Sequence, residues 1–229
     1  MLYQIADLLV EMTPSGRTAA QAEVYRTSAL GCPADMTIRV DGADALARCP
    51  ELETADMAEY IVSGDCFAVG LLSHGGMMLH ASAVEYGGQA VCFSAPPGVG
   101  KSTHAEKWAR LFGASILNDD KPALRRINGL WRVYGTPWSG KEDLSQNRSA
   151  PLAAVCFLFQ GEENALASLT PAEALPMLLS QTPFHLRRED MDRLLTTADC
   201  LLRETKLFRL TCRNDDSAAR FARDRLFPG

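Results

Sequence analysis

Nowhere in the 229 residues does an apolar run approach the roughly 20 consecutive residues that a membrane-spanning helix needs. The longest, Phe67 to Leu72 and Ala153 to Phe159, stop far short, so no membrane partner is expected. A basic cluster is also missing. The net charge is −5 with acids and bases interspersed, which offers nucleic acid no electrostatic footprint. The seven cysteines (Cys32, Cys49, Cys66, Cys92, Cys156, Cys200 and Cys212) are odd in number, scattered, and never form a C-x-x-C pair. They read as reduced, mostly structural thiols of a cytoplasmic protein. Met1 to Asp7 carries no basic segment, and the apolar run that follows ends at Glu11 without a small-residue cleavage site, so no secretion signal is read there. Internal repeats and low-complexity tracts are absent too.

What is present is the composition of a globular chain, 47% apolar and 22% charged, sized for one α/β domain or a compact domain with a smaller appendage. Residues 1–75 mix β-like runs (Tyr3 to Met12, Met36 to Val40) with helical character from Ala55 towards Leu72. They contain no phosphate loop, metal spacing or nucleophile pattern. They are expected to form a flanking α+β segment, with the chemistry in a domain spanning 76–229.

From Met77 the pattern sharpens. Met78 to Val84 and Ala90 to Ser94 are strand candidates joined by the turn Tyr86-Gly87-Gly88-Gln89. Ala95-Pro96-Pro97-Gly98 ends sheet pairing, and Ala105, Trp108, Ala109 and Phe112 then recur at helical spacing up to a glycine stop, Gly113. Ser115-Ile116-Leu117 is a short strand running into Asn118-Asp119-Asp120. A hairpin turns on Asn128-Gly129, and its second arm enters the loop Gly135-Thr136-Pro137-Trp138-Ser139-Gly140-Lys141. Leu152 to Phe159 reads as a buried strand, Pro171 opens a helix, Glu189 to Glu204 carries one apolar stripe, and Lys206 to Thr211 and Ser217 to Arg225 read as a strand and a terminal helix.

Ala95 to Ser102 fits the phosphate-loop pattern G-x-x-x-x-G-K-[ST] at every position except the first, where Ala95 replaces glycine. Such a loop needs inward backbone N–H groups around phosphate oxygens, a lysine at the β/γ-phosphates and a hydroxyl on Mg²⁺. Gly98, Val99, Gly100, Lys101, Ser102 and Thr103 supply these, so ATP with Mg²⁺ is the expected ligand. Asp119 follows only eighteen residues after Lys101, with Asp120 next to it. Phosphoryl transfer uses one acid beside the metal and one to take the proton of an attacking hydroxyl, and two adjacent acids can divide those tasks. In the loop 135–141, Thr136 or Ser139 can hydrogen bond near a γ-phosphate, and Lys141 or Arg126 can stabilise developing charge.

The run from His80 through Asp120 resembles the C-terminal catalytic domain of HPr kinase/phosphorylase, with its histidine-bearing strand, glycine hairpin, G-x-G-K-S loop and Asp-Asp pair in the same order. ATP-dependent phosphoenolpyruvate carboxykinase is similar over the shorter stretch of loop and Asp-Asp. The phrasing of Leu79-His80-Ala81-Ser82-Ala83, Asn118-Asp119-Asp120-Lys121-Pro122 and Tyr134 to Lys141 looks like the bacterial HPr-kinase-related proteins. The strong resemblance covers about residues 70–185.

The resemblance implies an α/β P-loop domain of the HPr kinase/phosphoenolpyruvate carboxykinase type, a mixed sheet with flanking helices. It makes Lys101 the phosphate ligand, Ser102 a Mg²⁺ ligand, Asp119 the acid/base, Asp120 a metal-associated acid and His80 a neighbour of the reacting groups. It implies a serine or threonine of a protein or peptide as phosphate acceptor, and a homo-oligomer. The chain departs from the family in one further respect: the glutamate expected after the Asp-Asp strand has no counterpart before Glu142 and Asp143. Two other readings stay open, a nucleotide-binding regulator or scaffold without transfer activity and a small-molecule kinase or carboxykinase-like enzyme.

Overall fold

The computed structural model describes residues 1–28, 31–182 and 188–228. The last positions of the span resembling HPr kinase, 183–185, lie outside the described residues.

The chain opens with β1 (Leu2–Ile5) and β2 (Leu8–Met12), which split the β-like run Tyr3 to Met12 into an antiparallel hairpin. The reversal is made by Ala6 and Asp7, both at positive φ (51° and 58°), a turn that ordinarily calls for glycine or asparagine. After α1 (Gly16–Ala22), β3 (Met36–Ile38) joins β2 in parallel to complete a three-stranded sheet. The short helix α2 (Gly42–Arg48) leads to α3 (Ala55–Leu72), one continuous helix whose N-cap Thr54 accepts from the N–H of Met57.

The second and larger sheet contains β4 (Gly76–Met78), β5 (Ala81–Tyr86) and β6 (Gln89–Ser94). It continues after α4 (Lys101–Phe112) with β7 (Ser115–Asn118), β8 (Ala123–Ile127), β9 (Leu130–Tyr134) and β10 (Ser149–Gln160). Then come β11 (Ala165–Ser168), α5 (Pro171–Ser180), α6 (Arg188–Glu204), β12 (Lys206–Cys212) and α7 (Asp216–Leu226). The order is β4-β8-β9-β10-β6-β5-β7, with β12 also on β10 and β11 on β12. The two glycine-bearing hairpins read from sequence form as expected, with positive φ at Gly87, Gly88, Asn128 and Gly129.

β10 is the strand that curls this mixed sheet. Its first residues pair antiparallel with β9, and after a register irregularity between Leu152 and Ala154 the rest runs parallel to both β6 and β12. Side chains of the parallel trio then alternate between two cores. Val91, Phe93, Ala154 and Cys156 meet Ala105 and Trp108 of α4 and Ala219 and Ala222 of α7. Cys92, Val155 and Phe157 face the opposite way, towards Leu178 of α5 and Leu194, Ala198 and Leu201 of α6.

The N-terminal segment is fused to this body through a third core. Tyr3, Ile5 and Val10 of the small sheet and Phe67 and Leu71 of α3 share it with Met78, Ala123, Tyr134 and Trp138. The indole of Trp138 stacks on Phe67 with ring centroids 4.9 Å apart and donates to the Ser63 hydroxyl at 3.1 Å. Gly64 leaves room for that indole: a methyl there would stand 2.9 Å from its Cδ1. A loop far along the chain is thereby held against α3.

Candidate active site

β6 ends at Ser94, and the chain turns through Ala95 to Gly100 before α4 begins at Lys101. Gly98 and Gly100 take φ of 82° and 113°, conformations that a side chain would strain. Ala95 is not among the positive-φ residues, and its methyl is buried in the α4 core, so the missing first glycine answers no backbone need. The N-cap Gly100 offers no side-chain cap, and the first backbone bond of the helix is donated by His104 to the Gly100 carbonyl. The N–H groups of Lys101, Ser102 and Thr103 therefore have no acceptor within the helix, and the positive end of its dipole is added to them.

Lys101 is 7% exposed and donates from Nζ to the carbonyl of its own loop at Ala95, 2.8 Å away. Burial holds its pKa below the ordinary lysine value, and Asp120 opposes that shift. Ser102 and Thr103 stand exposed. Val99 is turned aside, its side chain against the α4 core and its carbonyl accepting from Gln160.

β7 delivers the two acids. Asn118 is fully buried: its amide nitrogen donates to the carbonyls of Thr136 and Trp138, and its oxygen accepts from the N–H groups of Asp120 and Lys121. That residue fixes the turn from which Asp119 and Asp120 project. Asp119 is 3% exposed and accepts at Oδ1 from the Gly140 N–H at 2.5 Å. Burial raises its pKa, the Gly140 bond opposes this, and the neighbouring Asp120 charge adds to the rise. Asp120 goes the other way. Burial pushes its pKa up, but the His80 hydrogen bond and the charges of His80, Lys121 and Lys101 outweigh this and hold it below the ordinary value.

His80 stands between β4 and β5, with Nε2 3.1 Å from Asp120 Oδ1 and Nδ1 3.2 Å from Gln181 Oε1.

These groups share one open cleft of about 540 Å³, lined by His80, Gly98, Lys101, Ser102, Asp119 and Asp120 among others. Lys141 also lines it, as does Ser139, while Thr136 is buried beneath and donates to the Lys121 carbonyl. Arg126, expected as an alternative source of charge, is elsewhere: both ends of its guanidinium grip Glu204 on the surface. β8 turns it away from the cleft, and that expectation is corrected. Among the described residues no group of three His, Cys, Asp or Glu side chains is arranged to hold a metal ion.

The opposite wall comes from residues 1–75, which sequence reading left without chemistry. Arg17 of α1 and Met57, Tyr60 and Ile61 of α3 line the cleft. The Arg17 guanidinium lies 4.5 Å from the Tyr60 ring centroid, and the Tyr60 hydroxyl donates to the Ser139 carbonyl at 2.7 Å. Only the helical spacing of Met57, Tyr60 and Ile61 hinted at a shared face. Arg17 gave no local signal at all.

Residues 65–192 match the family model described as "ScmC: SynChlorMet cassette protein ScmC", a span from within α3 to within α6 that contains the whole loop and acid pair. No curated protein matches the chain. Among solved structures, the Hpr(Ser) kinase/phosphatase from Coxiella burnetii is similar at 10% identity with a TM-score of 0.39, over 66% of this chain and 98% of that one. Among the described residues no helix is long and apolar enough to cross a membrane.

Proposed function

The chain belongs to the ScmC family, and we propose that it is an ATP-dependent kinase that transfers the γ-phosphate of Mg-ATP to a hydroxyl of a protein or peptide, a serine or threonine by preference. The observation that carries this reading is the opposite tuning of two adjacent acids beside a phosphate-loop lysine. Asp119 has its pKa raised and Asp120 has its pKa lowered, and both line the cleft with Lys101. One is suited to take a proton, the other to stay charged beside a cation.

The residues fit the nucleotide and its metal. Three backbone N–H groups at the start of α4 lack helical acceptors, Gly98 and Gly100 have open space where a Cβ would be, and the Ser102 hydroxyl is exposed beside them. These N–H groups and Lys101 would hold the phosphates, and Ser102 and Asp120 the Mg²⁺. Bound Mg²⁺ supplies charge neutralisation at the phosphate oxygens. Asp119 accepts the proton of the acceptor hydroxyl as that oxygen becomes the nucleophile, and Lys101 and Lys141 face the developing negative charge. Asp119 needs its second oxygen for this, since Oδ1 is occupied by the Gly140 N–H.

A second reading, a nucleotide-binding regulator without transfer, has one observation in its favour. Asp143, beyond the loop, is engaged by Arg17 and Gln21, so it does not stand free as a third acid. The test separates the two. Asp119→Asn is expected to keep Mg-ATP binding, measured by calorimetry, and to lose transfer of label from γ-labelled ATP by ~10²-fold or more. Wild-type binding with no transfer to any hydroxyl acceptor favours the regulator; full transfer by Asp119→Asn removes the base from Asp119. Label appearing on a small molecule instead of a peptide assigns the acceptor class to the third reading.

A further inference from the structure

Three residues of the cleft loop, Ser139, Gly140 and the nearby Asp143, are each held by a side chain from the first sixty residues. Tyr60 donates its hydroxyl to the Ser139 carbonyl at 2.7 Å. The Ser139 hydroxyl in turn donates to Gln21 Oε1 at 3.2 Å, and Gln21 Nε2 donates to Asp143. Arg17 makes the central grip: one terminal nitrogen, Nη2, donates to the Gly140 carbonyl at 2.8 Å and to Asp143 Oδ1 at 2.7 Å. The Arg17 side chain is largely covered and stacks on Tyr60.

Gly140 has its carbonyl on Arg17 and its N–H on Asp119. The two contacts belong to one residue, so Arg17 restrains the orientation of the peptide that binds Asp119. No bulk takes up slack at that point, because Gly140 has no side chain, and a methyl there would lie 2.8 Å from Asp119 Oδ2. We propose that Arg17 is a positioning residue: it clamps the 139–143 loop so that the Gly140 N–H fixes Oδ1 of Asp119 and leaves Oδ2 turned to the acceptor. The role assigned to Asp119 rests on the kinase reading above; the clamp itself does not.

The charged groups around Asp119, besides Arg17, are Asp120 from its own strand end, Asp143 beyond the loop, and Lys101, Glu106, Lys141 and Glu142 in the same cleft. Of these, Asp143 reaches the Gly140 carbonyl through its backbone N–H at 3.3 Å, and among the described residues Arg17 supplies the side chain that holds it. An arginine suits the task better than a lysine because its planar guanidinium stacks on the Tyr60 ring while Nη2 donates to both the carbonyl and the carboxylate. Residues 1–75 thereby contribute to the active site by orienting a residue some hundred positions later.

The test uses the full chain and two readouts. Arg17→Met keeps an aliphatic stem over Tyr60 and removes the donors; Arg17→Lys keeps a single donating nitrogen on a shorter stem. The first readout is the Gly140 amide by NMR, expected downfield and slow to exchange in the wild type because of its short bond to a carboxylate. In Arg17→Met that proton should move upfield and exchange at least 10-fold faster, with Arg17→Lys between. The second is transfer kinetics. Arg17→Met should lose ~10- to 100-fold in kcat with KM for ATP unchanged, the signature of a misplaced group in the transition state, and Arg17→Lys should recover part of it. An unmoved Gly140 amide in folded Arg17→Met overturns the clamp. A moved amide with undiminished kcat overturns the catalytic positioning. If the wild type transfers nothing while the amide still responds to Arg17, the kinase reading fails and the clamp stands.

Discussion

Lys101 Nζ lies 2.8 Å from the carbonyl oxygen of Ala95, the residue that occupies the position of the loop's first glycine. In that pose the ammonium is partly desolvated and satisfied by its own loop, a contact that a phosphate oxygen can replace with a stronger, charge-assisted one. Lys101→Met is expected to weaken Mg-ATP binding by ~10- to 100-fold, which corresponds to roughly 1.4–2.7 kcal/mol. The melting temperature of the ligand-free protein should not fall, because the substitution removes a cation whose burial is costly. Equal ATP affinity by calorimetry would show that the lysine has no part in binding.

Ala95→Gly completes the G-x-x-x-x-G-K-[ST] pattern and should gain nothing. Ala95 adopts no positive φ and its methyl is buried, so the exchange adds backbone freedom to the unfolded chain and removes core contact. We expect unchanged ATP affinity and a loss of stability of roughly 1 kcal/mol by urea unfolding. Tighter ATP binding would mean that the loop needs a conformation it does not have here.

Gly64→Ala places a methyl 2.9 Å from Trp138 Cδ1 in a fully buried contact. Either the indole shifts or α3 does, at a cost of about 1–3 kcal/mol. Since Trp138 leads directly into Ser139 and Gly140, the same substitution should lower kcat more than it raises KM for ATP. Unaltered stability in a thermal melt would place the indole in a softer environment than the geometry describes.

His104 sits on the buried face of α4, where its Nε2 accepts from Trp108 Nε1 at 3.1 Å and its ring meets the edge of Phe93. Burial, with a smaller push from Lys107, drops its pKa to about 4. The unfolded chain therefore takes up this proton first as the pH falls, near the ordinary value of about 6.5. Stability should decline between about pH 6.5 and pH 4 and then level, by ~3 kcal/mol at most from this group. His104→Gln keeps an acceptor for Trp108 and should flatten that slope in urea titrations run across the window; a slope as steep as wild type would assign it to other groups.

The strand, loop and helix around residues 90–112 were legible because their signals are local: a β-branched and aromatic run, a proline stop, glycines and an apolar stripe. The hairpins at Gly87-Gly88 and Asn128-Gly129 were legible for the same reason. The turn at Ala6-Asp7 was not, since its residues take positive φ without the usual chemistry, and β11, four residues with no β-branched or aromatic side chain, pairs with β12 alone. Within the site, the loop from Gly98 to Ser102, Asp119 and Asp120 could be named from motif and order and His80 from the resemblance, and the structure brings His80, Lys101, Ser102 and both acids to one cleft. Arg17, Gln21 and Tyr60 reach it over separations of 79 to 126 positions, and no local pattern encodes such a contact.

The third core, in which Phe67 and Leu71 meet Ala123, Tyr134 and Trp138, also orders events in time. During synthesis the small sheet and α3 leave the ribosome before the residues that cover them have been made. At ~5–20 residues per second, that apolar face waits for seconds until the Trp138 loop emerges. The first third of the chain is thus a surface held in readiness for its own later product, and the cell has that interval in which to shield it.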